Sequence, residues 1–523
     1  MQAFETVIGL LLVAVALAAL ARRMGAPYPS LLALGGAVLA FVPGAPVLTI
    51  PPDLALALFV APVLLDAAYD ASPRDLRENW VSVASLVVVS VVLTTIAVAV
   101  VTRALVPAIP WAAAIALGAV VAPPDATAAT AILRQVRIPH RLLTILQGES
   151  LLNDATALLI YRVAVGAVIA GGLSVHAVAP AFLLAVAGSL VAGPVLARLL
   201  LKVTPRITDV PTAIIVQFMT AFAVWILAER VGLSGVLTMV SFAMSVARRA
   251  PEQTPARIRV PAYAVWDTVV FVLNVLAFVF IGLQIRPLIV ALDPGRRAVY
   301  FEVALAVLLT VILVRVAWVM THNSVLLWKI RRYGFHPPRP TLQPSVRSGL
   351  VVSWSGMRGI VSLAAALALP LRVDGAPFPF RDLIVFTAFS VVLGTLVVQG
   401  LTLRPLLQAV ALRDDDHVGR EVEQARERAL AAALATLDGD ASPAAEAVRE
   451  ELATHFGQVP KEAEEGQARR SAHAAMHRRA IAEARRTALE MRTRGDIGDD
   501  AFHRLEEELD WVELGSGGRG AAS

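Results

Sequence analysis

Stretches of about twenty predominantly apolar residues recur along most of this chain, and such a run is the length an α-helix needs to cross a hydrocarbon layer. They fall near residues 4–21, 30–48, 53–70, 81–102, 111–133, 142–171, 177–201, 210–229, 232–247, 262–285, 298–328, 348–370 and 381–411. Thirteen windows predict an all-α membrane protein of about 13 transmembrane helices. The sequence is 57% apolar and only 17% charged, too little charge to cover a soluble surface of 523 residues. Charge is also unevenly placed. The first 412 residues carry a net +13 and the last 111 a net −8, so the reading is a transmembrane domain over 1–412 and a helical tail over 413–523. The basic excess matches loops at an anionic membrane surface, and nucleic acid is not expected as a partner.

Orientation follows from where Lys and Arg concentrate. Loops after odd-numbered windows hold nineteen, and loops after even-numbered ones hold seven. The odd loops are therefore expected in the cytoplasm, with the N-terminus outside and the tail inside. The first window lacks a basic leader and ends at Arg22-Arg23, so it reads as a spanning helix rather than a removable signal. With no cysteine, thiol catalysis and zinc-thiolate sites are excluded. No enzyme motif is present in the body, and its nearest histidines, His176 and His322, lie near helix ends. An enzyme is not expected, nor is a cofactor.

An ionisable group in mid-membrane costs at least about 2.5 kcal/mol, which makes such groups the place to look for function. The strongest set is Gly148-Glu149-Ser150-Leu151-Leu152-Asn153-Asp154. On a helix, Glu149 and Asn153 share one stripe, and Ser150 and Asp154 share the next. This puts four oxygen-bearing groups on one side of an apolar helix, suited to a hard cation such as Na⁺ and, through the carboxylates, to protons. A second set is Ala122-Pro123-Pro124-Asp125-Ala126-Thr127. Two successive prolines remove two backbone donors, so the helix must break there, and the freed carbonyls must line a cavity or bind something. A third set, Ser353 to Gly359, places Arg358 among glycines in the twelfth window. Glu302 and Arg315, on the eleventh, read as orienting or packing groups.

Short interrupted helices in corresponding halves point to a transporter site. Pairing windows one to six with eight to thirteen matches the two breaks. It also matches Asp66 with Asp267 as possible cavity-lining acids, and the odd offset of seven makes the two six-helix repeats inverted.

These motifs resemble bacterial sodium/proton antiporters of the first monovalent cation:proton antiporter family, related to animal sodium/proton exchangers. The run Gly148 to Asp154 is similar to the family's Asn-Asp helix, and Gly356 to Gly359 to its Gly-x-Arg-Gly helix. Asp125 falls where the family has the acid of its Thr-Asp-Pro break. The resemblance implies a homodimer whose ion-carrying core, about 81–171 and 298–411, moves against a dimerisation scaffold, about 4–70 and 177–285. It implies Asp154 as the carrier carboxylate, Glu149 and Ser150 as further Na⁺ ligands, and Arg358 as the ion-pair partner of Glu149 or Asp125. Asn153, Asp125 and Thr127 complete the expected cation- and proton-binding set. Pro124 stands where the family has threonine, which leaves Thr127 to supply the hydroxyl.

The expected function is secondary antiport of Na⁺ or Li⁺ against H⁺ across the bacterial cytoplasmic membrane by alternating access. One neutral amide beside one aspartate, like the resemblance, makes it electroneutral. K⁺/H⁺ antiport on the same scaffold, or a cation channel, are the alternatives. Transported ions and membrane lipids are the other partners.

Overall fold

The computed structural model describes residues 2–24, 26–43, 51–133, 136, 138–170, 175–334, 345–373, 376–412 and 417–439, with scattered positions between 442 and 494. The chain divides into two compact units, Met1–Asp415 and Asp416–Ser523. Among the described residues, the regular structure of the first unit is helical apart from one two-stranded hairpin, Arg372–Val373 against Ala376–Pro377.

Its helices begin with α1 (Gln2–Met24), α2 (Tyr28–Leu39), α3 (Ala61–Asp70), α4 (Pro73–Glu78) and α5 (Trp80–Leu105). They continue with α6 (Trp111–Val121), α7 (Ala126–Leu133), α8 (His140–Ile169), α9 (Val175–Val203), α10 (Val210–Arg230) and α11 (Gly235–Ala247). The last are α12 (Ala256–Leu283), α13 (Arg297–Tyr333), α14 (Val346–Trp354), α15 (Ile360–Leu367) and α16 (Arg381–Val410). Among the described residues, seven helical stretches, including α5, α8, α10 and α16, are long and apolar enough to cross a membrane. The multi-pass character read from the sequence thus has its structural counterpart.

Local chemistry explains the irregularities. The turn before α3, Leu56–Val60, is a π-helix. Pro62 lacks an N–H and crowds the carbonyl four residues back, and the wider turn absorbs that conflict. Helix starts are capped where the sequence offers an acceptor. Asp209 accepts from Thr212 N at 2.9 Å at the head of α10, and Ser345 and Ser348 form a reciprocal capping box at the head of α14.

Two packing seams frame the interior. In one, α2 crosses α12 at Gly36 and Gly282; a Cβ on Gly36 would strike the carbonyl of Val279, and one on Gly282 that of Ala33. Only glycine permits backbones this close. In the other, α6 lies against α5, with Gly118 over the backbone of Thr95, and also contacts α8. Helix α13 packs on α5, α14 and α16, and Ser30 Oγ of α2 donates to Leu396 O of α16 at 2.5 Å.

In the second unit, α17 (His417–Ala435) runs into a turn closed by Gly439 at φ 87°. The further tail helices expected over 478–494 and 499–514 lie, except for a few positions up to 494, outside the described residues.

Candidate functional site

Helix α6 stops at Val121 and α7 starts at Ala126, because Pro123 and Pro124 cannot donate to the helical ladder. The chain passes between them as a non-helical link whose carbonyls need partners. Arg358 supplies two: its Nε donates to Val121 O at 3.0 Å and its Nη2 to Ala122 O at 3.1 Å. Asn153 Nδ2 donates to Pro124 O at 2.7 Å. Asp125 then opens α7, its Oδ1 accepting from Thr127 N at 2.8 Å.

Helix α14 stops at Trp354 and α15 starts at Ile360, so a second link runs from Ser355 to Gly359. Here the carbonyls of Val352 and Ser353 accept from Arg315, Nη2 at 3.0 Å and Nε at 3.2 Å. The two links touch, with Asp125 N donating to Met357 O at 2.6 Å. Both glycines of the second link are required by what passes over them. A Cβ at Gly356 would meet the guanidinium of Arg315, and one at Gly359 the carboxylate of Asp125.

One expectation is overturned. Glu149 is paired not with Arg358 but with Arg315, by two parallel bonds, Nη1 to Oε1 at 2.5 Å and Nη2 to Oε2 at 2.9 Å. Glu149, Arg315 and Arg358 are each 1% exposed, so this is a fully buried pair in which both carboxylate oxygens are taken. Arg358 forms no ion pair among the described residues; its guanidinium is spent on the carbonyls of Val121, Ala122 and Gly356. The physical reason is geometric. The break at Pro123-Pro124 leaves orphan carbonyls within reach of Arg358, and an orphan carbonyl in a dry interior binds a guanidinium well.

The two stripes of α8 therefore do different work. Glu149 and Asn153 face the links and hold them, Asn153 with its Oδ1 buried and without a hydrogen-bond partner among the described residues. Ser150 and Asp154 face a cavity of about 360 Å³ whose wall also carries Asp125, Thr127, Asp66 and Asp267. Glu149 and Asn153, expected among the ion ligands, do not line it. The cavity reaches the exposed Asp70 and includes polar groups that sequence reasoning passed over: Thr130, Gln147 and Asn274. Asn274 lies seven residues after Asp267 on α12, two turns along the same face, which is the spacing that could have found it. On its other side Asp154 borders a separate void of only about 10 Å³, lined by Pro123, Tyr161 and Ser362 among others. Trp266, beside Asp267, is fixed by donating to Gln217 Oε1 at 3.0 Å and by stacking on Phe218 at 4.1 Å between centroids.

Two interrupted helices meeting inside an apolar helical body, beside a cavity walled by carboxylates, define a multi-pass ion transporter. The chain belongs to the sodium/hydrogen exchanger transmembrane family, whose family model matches residues 9–409. It is 35% identical over 413 residues to an uncharacterized Na(+)/H(+) exchanger of Mycobacterium tuberculosis, covering 78% of this chain and 75% of that protein. It is 28% identical over 479 residues to a sodium, potassium, lithium and rubidium/H(+) antiporter of Bacillus subtilis, covering 88% and 70%. Among solved structures, the sodium proton antiporter MjNhaP1 from Methanocaldococcus jannaschii matches with a TM-score of 0.58 at 17% identity, over 78% of this chain and 99% of that one, a likeness of fold. The protein is a membrane cation/proton antiporter.

Proposed function

We propose that the protein exchanges Na⁺ or Li⁺ for H⁺ by alternating access, with Asp154 as the carboxylate that binds either the cation or the proton. The observation that carries this reading is the position of Asp154, on the cavity wall, next to the crossing of the two links and backed by the small void. Coupling is then competition for one carboxylate. Ser150, Asp125 and Thr127 share that wall and are the further oxygen ligands, while Glu149, Asn153, Arg315 and Arg358 hold the links in shape. Potassium is the alternative cargo, because the Bacillus subtilis relative is named for sodium, potassium, lithium and rubidium alike. The test is exchange in proteoliposomes with Na⁺, Li⁺ and K⁺ offered separately while luminal pH is followed. Proton movement driven by none of them would refute the reading.

In this proposal the body has thirteen crossings in two inverted six-helix repeats, and it sits in the bacterial cytoplasmic membrane as a homodimer. The N-terminus is outside and the cavity and tail are cytoplasmic. The segments 81–171 and 298–411 move against 4–70 and 177–285. A surface ion pair, Arg162 Nη2 to Glu229 Oε2 at 2.7 Å, joins α8 to α10 across that division, with side chains 52% and 37% exposed. Pairs this exposed contribute about 0–1 kcal/mol, weak enough to part when the core moves.

Asn153 bears on stoichiometry. In Asn153→Asp, only a protonated carboxyl could still donate to Pro124 O, so the variant gains a second titrating group beside Asp154. Exchange by this variant is expected to respond to an imposed membrane potential while wild type does not. Equal insensitivity in both would remove the argument for electroneutrality.

The groups argued to handle ions all precede residue 400, and the second compact unit starts at Asp416. Truncation after residue 415 should therefore leave a protein that exchanges cations for protons in vesicles, with changes confined to pH dependence or expression. An inserted, folded truncate without exchange at any pH would make the tail part of the transport machinery.

A further inference from the structure

Helix α13 is longer than the hydrocarbon layer is thick, and its excess ends in cations. From Phe301 to Trp328 it rises about 40 Å at about 1.5 Å per residue, the depth of a bilayer with its headgroups. Every fourth residue from Phe301 to Val325 is exposed, so one ridge faces outward along this whole length. Trp328, 57% exposed, continues it on the next turn, followed by the exposed Lys329, Arg331 and Arg332. Tyr333 meets Trp328 edge-on at 5.9 Å between centroids, and the Arg332 guanidinium lies over Tyr333 at 5.6 Å.

Helix α5 runs antiparallel beside α13. Its Ser85 Oγ accepts from Trp318 Nε1 at 3.2 Å, while Val98 and Ala99 share a cluster with Val303, Ala304 and Val307. This places Trp80, 64% exposed, at the same end as Trp328, with the exposed Arg77 just ahead of it. Tryptophans so placed settle at headgroup level in a bilayer.

The charge at this end is positive after its acids are counted. Asp75 and Glu78 of α4 already have basic partners, His140 Nε2 at 3.1 Å and Arg74 Nε at 3.2 Å. The chain has no acidic residue between Glu302 and Asp374. Arg74, Arg77, Lys329, Arg331 and Arg332 against Asp75 and Glu78 leave +3. At the opposite end of the same two helices the arginines are occupied: Arg103 donates to Ile109 O at 2.6 Å and lies over Trp111, and Arg296 pairs with Asp293 at 3.7 Å.

We propose that this end of the α5–α13 pair binds an anionic phospholipid. Lys329, Arg332 and Arg77 take its phosphodiester headgroup, Trp80 and Trp328 lie at its glycerol level, and its acyl chains follow the outward ridge of α13. Free phosphate would satisfy the cations but would gain nothing from the tryptophans or the ridge. A zwitterionic lipid would fit the ridge but would carry no net charge to the cations.

The experiment is thermal denaturation of the full-length protein in detergent, titrating phosphatidylglycerol, phosphatidylcholine or inorganic phosphate, with native mass spectrometry to count retained lipid. Phosphatidylglycerol should raise Tm saturably by about 3 °C over phosphatidylcholine. Its affinity should fall at least about tenfold in the triple variant Arg77→Gln, Lys329→Gln, Arg332→Gln. The double variant Arg248→Gln, Arg249→Gln removes exposed charge from another loop and should keep that affinity. Equal stabilisation by phosphatidylcholine or by phosphate would overturn the proposal. So would undiminished affinity in the triple variant, or an equal loss in the Arg248/Arg249 control, which would reduce the effect to general surface charge. Should the triple variant fail to fold, wild type reconstituted with phosphatidylglycerol decides: headgroup density is expected beside Lys329 and Arg332, and bare side chains there, or a second copy of the chain covering them, refute the site.

Discussion

Asp154→Asn is expected to abolish cation-driven proton movement while leaving the protein folded. The amide keeps the shape of the carboxyl but can neither titrate nor offer a charge to a cation. Asp154 lies between the large cavity and the small void, whereas the neighbouring acid of α8, Glu149, has both oxygens committed to Arg315 and cannot take over. The measurement is exchange in vesicles of purified variant and wild type, with thermal melting to show that folding is intact. Exchange retained at more than a small fraction of the wild-type rate would remove Asp154 as the carrier.

Arg315→Ala should have the largest effect on stability of any substitution in the interior. It strands the Glu149 carboxylate in a site 1% exposed and leaves the carbonyls of Val352 and Ser353 without a donor. Breaking a buried pair by removing one partner typically costs about 3–5 kcal/mol. For a body of this size, a fall in Tm of about 5–10 °C is expected. Adding Glu149→Gln should restore part of that loss, because the buried charge is then gone. Arg358→Ala should be destabilising too, since it leaves the carbonyls of Val121, Ala122 and Gly356 without that donor, but Glu149→Gln should give no rescue in that background. Rescue of Arg358→Ala and not of Arg315→Ala would reverse the pairing given by the geometry.

The helical positions, both breaks and the polar strip were legible because each rests on a local cause. Pro123 and Pro124 stop a helix in any context, and an apolar window of spanning length is a property of consecutive residues. The division of labour on α8 was not legible. Helical spacing puts Glu149 with Asn153 and Ser150 with Asp154, but it does not say which stripe meets a cavity and which meets another helix. That depends on α13, which carries Arg315 to Glu149 across 166 positions of sequence. A mid-membrane arginine on an otherwise apolar helix was the available signal. Arg358 drew the pairing expectation because it lies beside a glycine-rich break, yet that same break supplies the carbonyls that occupy it. The acids at 66 and 267 could be named from matching halves of the sequence, while Thr130, Gln147 and Asn274 join the cavity only through the packing of three different helices.

The asymmetry around Asp154 also has an electrical meaning. The large cavity runs from the exposed Asp70 inward to this carboxylate, whereas on its other side Asp154 borders a void of only about 10 Å³. If the proposed route is right, membrane voltage would fall mainly across the packed side chains beyond Asp154, where there is no electrolyte, rather than evenly over the bilayer. A unit charge crossing a full 100 mV exchanges about 2.3 kcal/mol with the field, and here a displacement of a few ångströms would collect most of that. On the proposed mechanism the barrier would act as a capacitor with closely spaced plates: a carrier whose charge is cancelled by its cargo would slip through unaffected, and any uncancelled charge on the same path would become steeply voltage dependent.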